Sequence, residues 1–297
     1  MPTPAPDTFD DEYDDKPRKP RSPFATVLLA ALILGFFVVF VSLGTWQVQR
    51  RAWKLDLIER VDARIHAPAT DGPPIEDWQA ISRDRDEYRV VRLRGKLHYD
   101  KEALVQASSV LGAGHWVLTP LETAQHGIVF INRGFVPPDR RAPEKRRDAA
   151  PEGLVDVIGL MRMPEPGGAF LRSNDPAADR WYSRDTQALA QSRGLEAART
   201  APYFVDLITT PVALTGADAP ATDSPSWNPP PAQGDEIAIH HWLGTQRVSW
   251  PMPGLTVVSF ANNHTVYALT WYGLALLAAA GGWLLYRDWR SRREALS

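Results

Sequence analysis

Two long stretches of this chain, Phe24–Trp46 and Val266–Tyr286, are apolar and carry no charge. About 20 apolar residues rising ~1.5 Å each cover the ~30 Å hydrocarbon core of a bilayer, so each stretch predicts a membrane-spanning helix. A core helix of a water-soluble domain is rarely apolar on all sides for so long. Across 297 residues the chain is 44% hydrophobic with a net charge of -2, which, evenly spread, would describe a soluble protein of one or two domains. The concentration at two places overrides that expectation.

Arg18, Lys19 and Arg21 precede the first stretch, as they would in a signal peptide. The apolar run is too long for one, and Gly44-Thr45-Trp46-Gln47 passes straight into Arg50-Arg51 without a small-residue cleavage site. An anchor is expected. The leader carries Asp7, Asp10, Asp11, Glu12, Asp14 and Asp15, whereas mitochondrial transit peptides are poor in acids, which points to a bacterial inner (cell) membrane. Lys16, Arg18, Lys19 and Arg21 flank the first span, and Arg287, Arg290, Arg292 and Arg293 flank the second. Both termini are therefore expected in the cytoplasm and the intervening chain outside. Arg50, Arg51 and Lys54 oppose this orientation, but long translocated domains cross largely regardless of charge.

The expected layout is a disordered, Pro- and acid-rich tail over 1–22, a transmembrane helix over 23–46, and a helical stalk over 47–66. An extracytoplasmic domain then occupies 67–263, followed by a second transmembrane helix over 264–286 and a tail over 287–297. In the stalk, Leu55, Leu57, Ile58, Val61 and Ile65 keep helical spacing until the chain nears Pro68. From Tyr88 the apolar period changes. Tyr88–Gly95, His115–Leu121, Gly127–Asn132 continuing to Val136, Leu154–Arg162 and Tyr203–Ile208 are short, rich in β-branched and aromatic residues, and bounded by Gly, Pro or Asp. One helix is expected over Asp185–Arg193, capped by Asp185. The fold class is thus a membrane protein with two transmembrane α-helices flanking a mainly antiparallel β (α+β) domain, with a tendency to close as a barrel. Residues 215–234 form a low-complexity loop.

No cysteine is present, so thiolate metal sites and cysteine nucleophiles are excluded. No Walker loop, dinucleotide fingerprint, G-x-S-x-G elbow or nucleophile–base pair occurs, and no basic stripe suggests nucleic acid; the chain is not expected to be an enzyme. His240-His241, read as strand neighbours, would face opposite ways, and His98, His115 and His126 are scattered. Asn132-Arg133-Gly134-Phe135-Val136-Pro137 suggests a bend or bulge with a close backbone approach at Gly134. Asn174-Asp175 and Arg180–Asp185 suggest a polar network or a partner surface. His264 stands at the mouth of the second span, where a polar residue commonly just reaches water. Imidazole is also the side chain here suited to a haem iron. Trp271 and Tyr272 follow at i+7 and i+8 on one helical face, and Asn262 or Asn263 can cap that helix. Gly273, Ala275, Ala278, Ala279, Ala280, Gly281 and Gly282 permit close helix packing. Thr45, Trp46 and Gln47 close the first span at similar depth, so a flat apolar ligand is expected between the two mouths.

Leu43-Gly44-Thr45-Trp46-Gln47-Val48-Gln49-Arg50-Arg51 resembles the opening signature of the Surfeit-locus-one family of cytochrome c oxidase assembly factors. Asn132–Pro137, Gly153–Gly159, Trp181–Asp185, Tyr203–Asp206 and Asn262–Ala275 match in order, so the resemblance runs from about 43 to 286. It implies an assembly factor for haem-copper cytochrome c oxidase that binds haem a, transiently, or hands it on. The partners it implies are the oxidase catalytic subunit, the haem a synthesis machinery and the lipid bilayer. In bacterial members the histidine opening the second span is implicated as the haem ligand, and here that position is His264. Trp271 and Tyr272 would form an aromatic wall and Trp46 an opposing lip. Thr265 stands where the family usually has leucine, and residues 212–250, which include His240-His241, are longer than usual. The alternative is a scaffold that stabilises an oxidase subunit or assembly intermediate without haem.

Overall fold

The computed structural model describes residues 22–125, 127–149, 151–169, 172–214, 230–231, 236–245, 249–256 and 263–294. Most of the expected tail over 1–22 and loop over 215–234, together with His126 and Asn262, lie outside those residues. In chain order the elements are helix α1 (Pro23–Ile65), strand β1 (Thr70–Asp71), helix α2 (Arg83–Asp86), and strands β2 (Val90–Leu97), β3 (Ala103–Ser109), β4 (Gly112–Thr123) and β5 (Ile128–Val136). Then follow β6 (Leu154–Arg162), β7 (Gly168–Ala169), β8 (Arg172–Ser173), helix α3 (Thr186–Ser192), β9 (Thr200–Leu207), β10 (Val212–Ala213), helix α4 (Glu236–Thr245) and helix α5 (His264–Glu294). Two compact units result, Met1–Leu55 with Asn262–Ser297, and Asp56–Ala261.

The second unit is built on a mixed sheet that closes on itself. β2 pairs with β4, β4 with β5, β5 with β9, β9 with β6, and β6 returns to β2 over Val90–Lys96. The tendency to close is therefore realised as a five-stranded ring. The pairing is mainly antiparallel, as expected, with β5–β9 and the short β1–β2 pairing parallel. β5 and β9 are separated by β6 and α3, a connection long enough to bring the second strand in alongside the first.

Alternation sorts the side chains. Val91, Leu93 and Leu97 of β2, Leu121 of β4, Val129 and Ile131 of β5, Val157 and Met161 of β6, and Tyr203 and Val205 of β9 share one buried cluster. Trp78 meets Tyr203 edge-on at 6.3 Å between ring centroids. The opposite faces of the same strands carry a second layer, in which Phe130 and Phe204 pack with Leu118, Trp181 and Leu189 of α3. β5 is consequently buried at every position, so apolar residues fill both faces over Ile128–Ile131, and the buried Asn132 and Arg133 that follow pair with Asp206 and Glu102. Each fully buried Leu, Val or Phe contributes about 1.5–3 kcal/mol. Asp185 caps α3 as expected, its carboxylate accepting from Ala188 N at 3.1 Å. Val61 and Ile65 at the end of α1 pack with Val90, Ile158, Leu160 and Ile208.

Two buried features tie the chain's later segments to the ring. Gly134 has φ +126, and a Cβ there would lie 2.1 Å from the Met252 carbonyl oxygen. This close approach lets Phe135 and Met252 exchange backbone hydrogen bonds at 2.9 Å each. The expected bend at Gly134 is thus a backbone contact, and the β4–β5 register shifts beside it, between Trp116 and Leu118. Asp206, 2% exposed, accepts from Asn132 Nδ2 at 2.7 Å, Arg162 at 3.1 Å and Thr256 Oγ1 at 2.9 Å, with Arg184 at 3.6 Å.

Candidate functional site

The apolar helices meet along an antiparallel seam within the first unit. α1 presents Ile33, Phe40, Gly44 and Gln47 at spacings of three, four and seven, which place them on one face. The partners on α5 run in the opposite sense: Gln47 meets His264, Gly44 meets Tyr272, Phe40 stacks on Trp271 at 5.8 Å, and Ile33 approaches Gly282. Gly44 is needed because a Cβ would stand 2.8 Å from the Tyr272 ring. Thr45 Oγ1 and the Tyr272 hydroxyl lie 3.3 Å apart beside that contact. Tertiary packing therefore fills the expected gap between the two mouths with direct helix–helix contact.

At the open end of this seam His264 Nδ1 lies 2.7 Å from Gln47 Oε1. His264 is the first residue of α5 and is partly exposed, whereas Gln47 is 8% exposed. An amide oxygen accepts and cannot donate, so the facing ring nitrogen donates its proton to it. Nε2 then keeps its lone pair, and among the described residues no hydrogen bond engages it. A haem iron or other borderline metal would find one imidazole donor here, oriented through its far nitrogen as metal-ligating histidines commonly are. His264 would be the residue that holds such a group, offering one imidazole nitrogen on the rim of the seam.

Of the four residues expected to form the site, His264, Trp271 and Tyr272 do face α1. Trp46 is 54% exposed, about 100° round α1 from Gln47, and the side chain that reaches His264 is Gln47. In the sequence Gln47 stands out only as part of a span ending. Its pairing spans 217 positions, and nothing local announces it.

Two cavities lie elsewhere. A groove of about 510 Å³ between α1 and α5 is lined by Ala30, Phe37, Ala278, Gly282, Leu285 and Trp289, and its nearest α5 residue is 14 positions, or about 21 Å, beyond His264. A cleft of about 280 Å³ in the barrel unit is lined by Trp78, Tyr203 and Arg92 among others. Among the described residues the Tyr203 hydroxyl is buried without a hydrogen-bond partner, and burial pushes its ionisation far above the ordinary value.

Among the described residues the remaining histidines fall outside any metal arrangement. His240 and His241 lie on helix α4 rather than on a strand, so they are about 100° apart instead of on opposite faces, and both are exposed while Ile239 and Trp242 are buried. His98 Nε2 meets Glu122 at 3.2 Å. Burial, and then the charge of Arg141, holds His115 below the ordinary imidazole value. Among the described residues no three His, Asp or Glu side chains are grouped to hold a metal ion. The polar segment Asn174–Asp185 forms a network of its own: Asn174 accepts from Tyr182 N and Ser183 N, and Arg184 pairs with Glu165 at 2.5 Å.

Comparison with known proteins places both helices and the ring in one match. A family model described as the SURF1 family matches residues 34–276, a stretch that includes Gln47 and His264. Surfeit locus protein 1 of Rattus norvegicus is 29% identical over 280 residues, covering 87% of this chain and 76% of the relative. The Xenopus tropicalis protein of that name is 31% identical over 265 residues, covering 83% and 72%. The Homo sapiens protein is 30% identical over 255 residues, covering 80% and 71%.

Proposed function

This chain belongs to the SURF1 family, and on that premise we propose that it serves the assembly of haem-copper cytochrome c oxidase, holding haem a at His264 and passing it to the catalytic subunit. The observation that carries the reading is the imidazole at the start of α5, its Nδ1 bonded to Gln47 and its Nε2 unengaged among the described residues. When bound, haem a would supply an iron able to accept an imidazole nitrogen. His264 binds through Nε2, Gln47 orients the ring, and Trp271 and Tyr272 stiffen the α5 face beside it. Trp46 offers an exposed aromatic surface on the neighbouring face of α1. A single protein ligand on a rim suits transient holding, because a carrier must release what it binds. The haem a synthesis machinery is the donor in this reading, and the chain itself turns over no substrate.

Both apolar helices are long enough to cross a membrane, with mean hydropathies of 2.9 and 1.5 in their most apolar windows. In the proposed setting they are the two spans of a bacterial cell-membrane protein. Both termini are cytoplasmic, as the basic residues flanking the spans favour.

Replacing His264 tests the ligand. The His264→Ala protein, produced with haem a synthesis active, is expected to insert normally and purify without a Soret band, whereas the unchanged chain carries one. Equal haem content in the two proteins would remove the ligand assignment. Oxidase subunits purifying with a wild-type chain that never shows a Soret band would favour the haem-free scaffold instead.

A further inference from the structure

We infer that Gln47 is the positioning residue for His264: its side-chain oxygen holds the ring in the Nδ1–H form and makes Nε2 the atom presented to a metal. The identity of that metal as haem iron rests on the function proposed above; the state of the ring does not.

Gln47 is 8% exposed, and its Oε1 stands 2.7 Å from Nδ1. With the proton moved to Nε2, two lone pairs would face each other at that distance. A nearly buried amide oxygen would also lose its donor and stand unsatisfied. A histidine side chain free in water favours the opposite form, with its proton on Nε2, which blocks ligation through that atom. The contact therefore inverts the default. It also leaves the lone pair on the nitrogen that, among the described residues, carries no hydrogen bond. An acceptor behind a ligating imidazole additionally makes it a better donor to the metal, and loss of such an acceptor commonly costs 10–100-fold in affinity. Gln47 and His264 lie on different helices, so the arrangement reports that the seam is formed as well as which nitrogen is free.

The state of the ring is directly measurable. Full-length protein labelled with ¹⁵N-histidine, in detergent and without haem, is examined by long-range ¹H–¹⁵N correlation, with His264→Ala used to assign the signals. Wild type is expected to show a protonated Nδ1 and a lone pair on Nε2. In Gln47→Leu the population moves towards the Nε2–H form, and in Gln47→Glu, which keeps an acceptor in place, the wild-type form returns. Titration with haemin then weakens about 10–100-fold in Gln47→Leu but not in Gln47→Glu. The Glu variant separates loss of the acceptor from general damage to the seam. A wild-type signal with the proton on Nε2, or an unchanged ring in Gln47→Leu, overturns the inference. If His264→Ala retains haem a while the ring behaves as expected, the proposed function falls and the role of Gln47 in setting the ring stands.

Discussion

Single residues decide more here than their neighbourhoods suggest. Asp206 is the clearest case in the barrel unit, since its carboxylate is shared among Asn132, Arg162, Thr256 and Arg184. Removing one member of a buried charge group leaves its partners uncompensated, at about 3–5 kcal/mol. Asp206→Ala in the full-length protein is accordingly expected to lower unfolding stability by that order, read as a lower urea midpoint by tryptophan fluorescence. An unchanged midpoint would mean that Arg162 and Arg184 are satisfied by Glu87 and Glu165 alone. The segments Asn132–Pro137, Trp181–Asp185 and Tyr203–Asp206 were visible in the sequence as separate motifs. Their convergence on one carboxylate was not, because residues such as Asn132 and Asp206 stand 74 positions apart.

Elements carried the strongest local signals. β6 runs over Leu154–Arg162, the span that its apolar pattern marks out, and Asp185 caps α3 because a carboxylate before a helix satisfies a free backbone N–H. β3 and α4 were missed. β3 (ALVQASS) is short and ends in small polar residues, and α4 follows a stretch that reads as low complexity. At the joints between elements, backbone geometry rules. Gly134→Ala would drive a Cβ into the Met252 carbonyl at a φ that L residues rarely adopt, costing about 1–3 kcal/mol for the conformation before any clash. The expected result is a melting temperature lower by roughly 4 °C or more, followed by intrinsic fluorescence. Faster proteolysis at 249–256 should accompany it, since the Phe135–Met252 hydrogen bonds hold that segment.

For the whole molecule, acid is the most telling perturbation. Burial raises Asp86, but a hydrogen bond from Ser82 N and the guanidinium groups of Arg89 and Arg85 outweigh it and leave the carboxyl below its ordinary 3.8. Burial likewise raises Glu165, and Arg184 brings it below 4.5. Carboxylates lowered on folding stabilise the folded state fully above their unfolded values, and that stabilisation is lost as pH falls through the folded ones. Stability is therefore expected to be flat with respect to these groups from neutrality to about pH 5 and to decline below about pH 4.5. Asp86→Asn should reduce that slope in urea titrations run at successive pH values, and an identical slope would remove Asp86 from the account.

What the sequence alone determined is whatever repeats over short distances: two apolar runs, the alternating strands, a capped helix, and a histidine where an apolar run begins. Such patterns reflect which faces must leave water, and composition at a spacing of two or of three to four is enough to read them. The tertiary structure alone decided the return of β6 to β2, the parallel entry of β9, the meeting at Asp206 and the choice of Gln47 over Trp46 as partner of His264. Each is a pairing between distant residues fixed by packing of the whole unit. A hydrogen-bonding side chain looks the same in the sequence whether its partner is water or a residue 217 positions away.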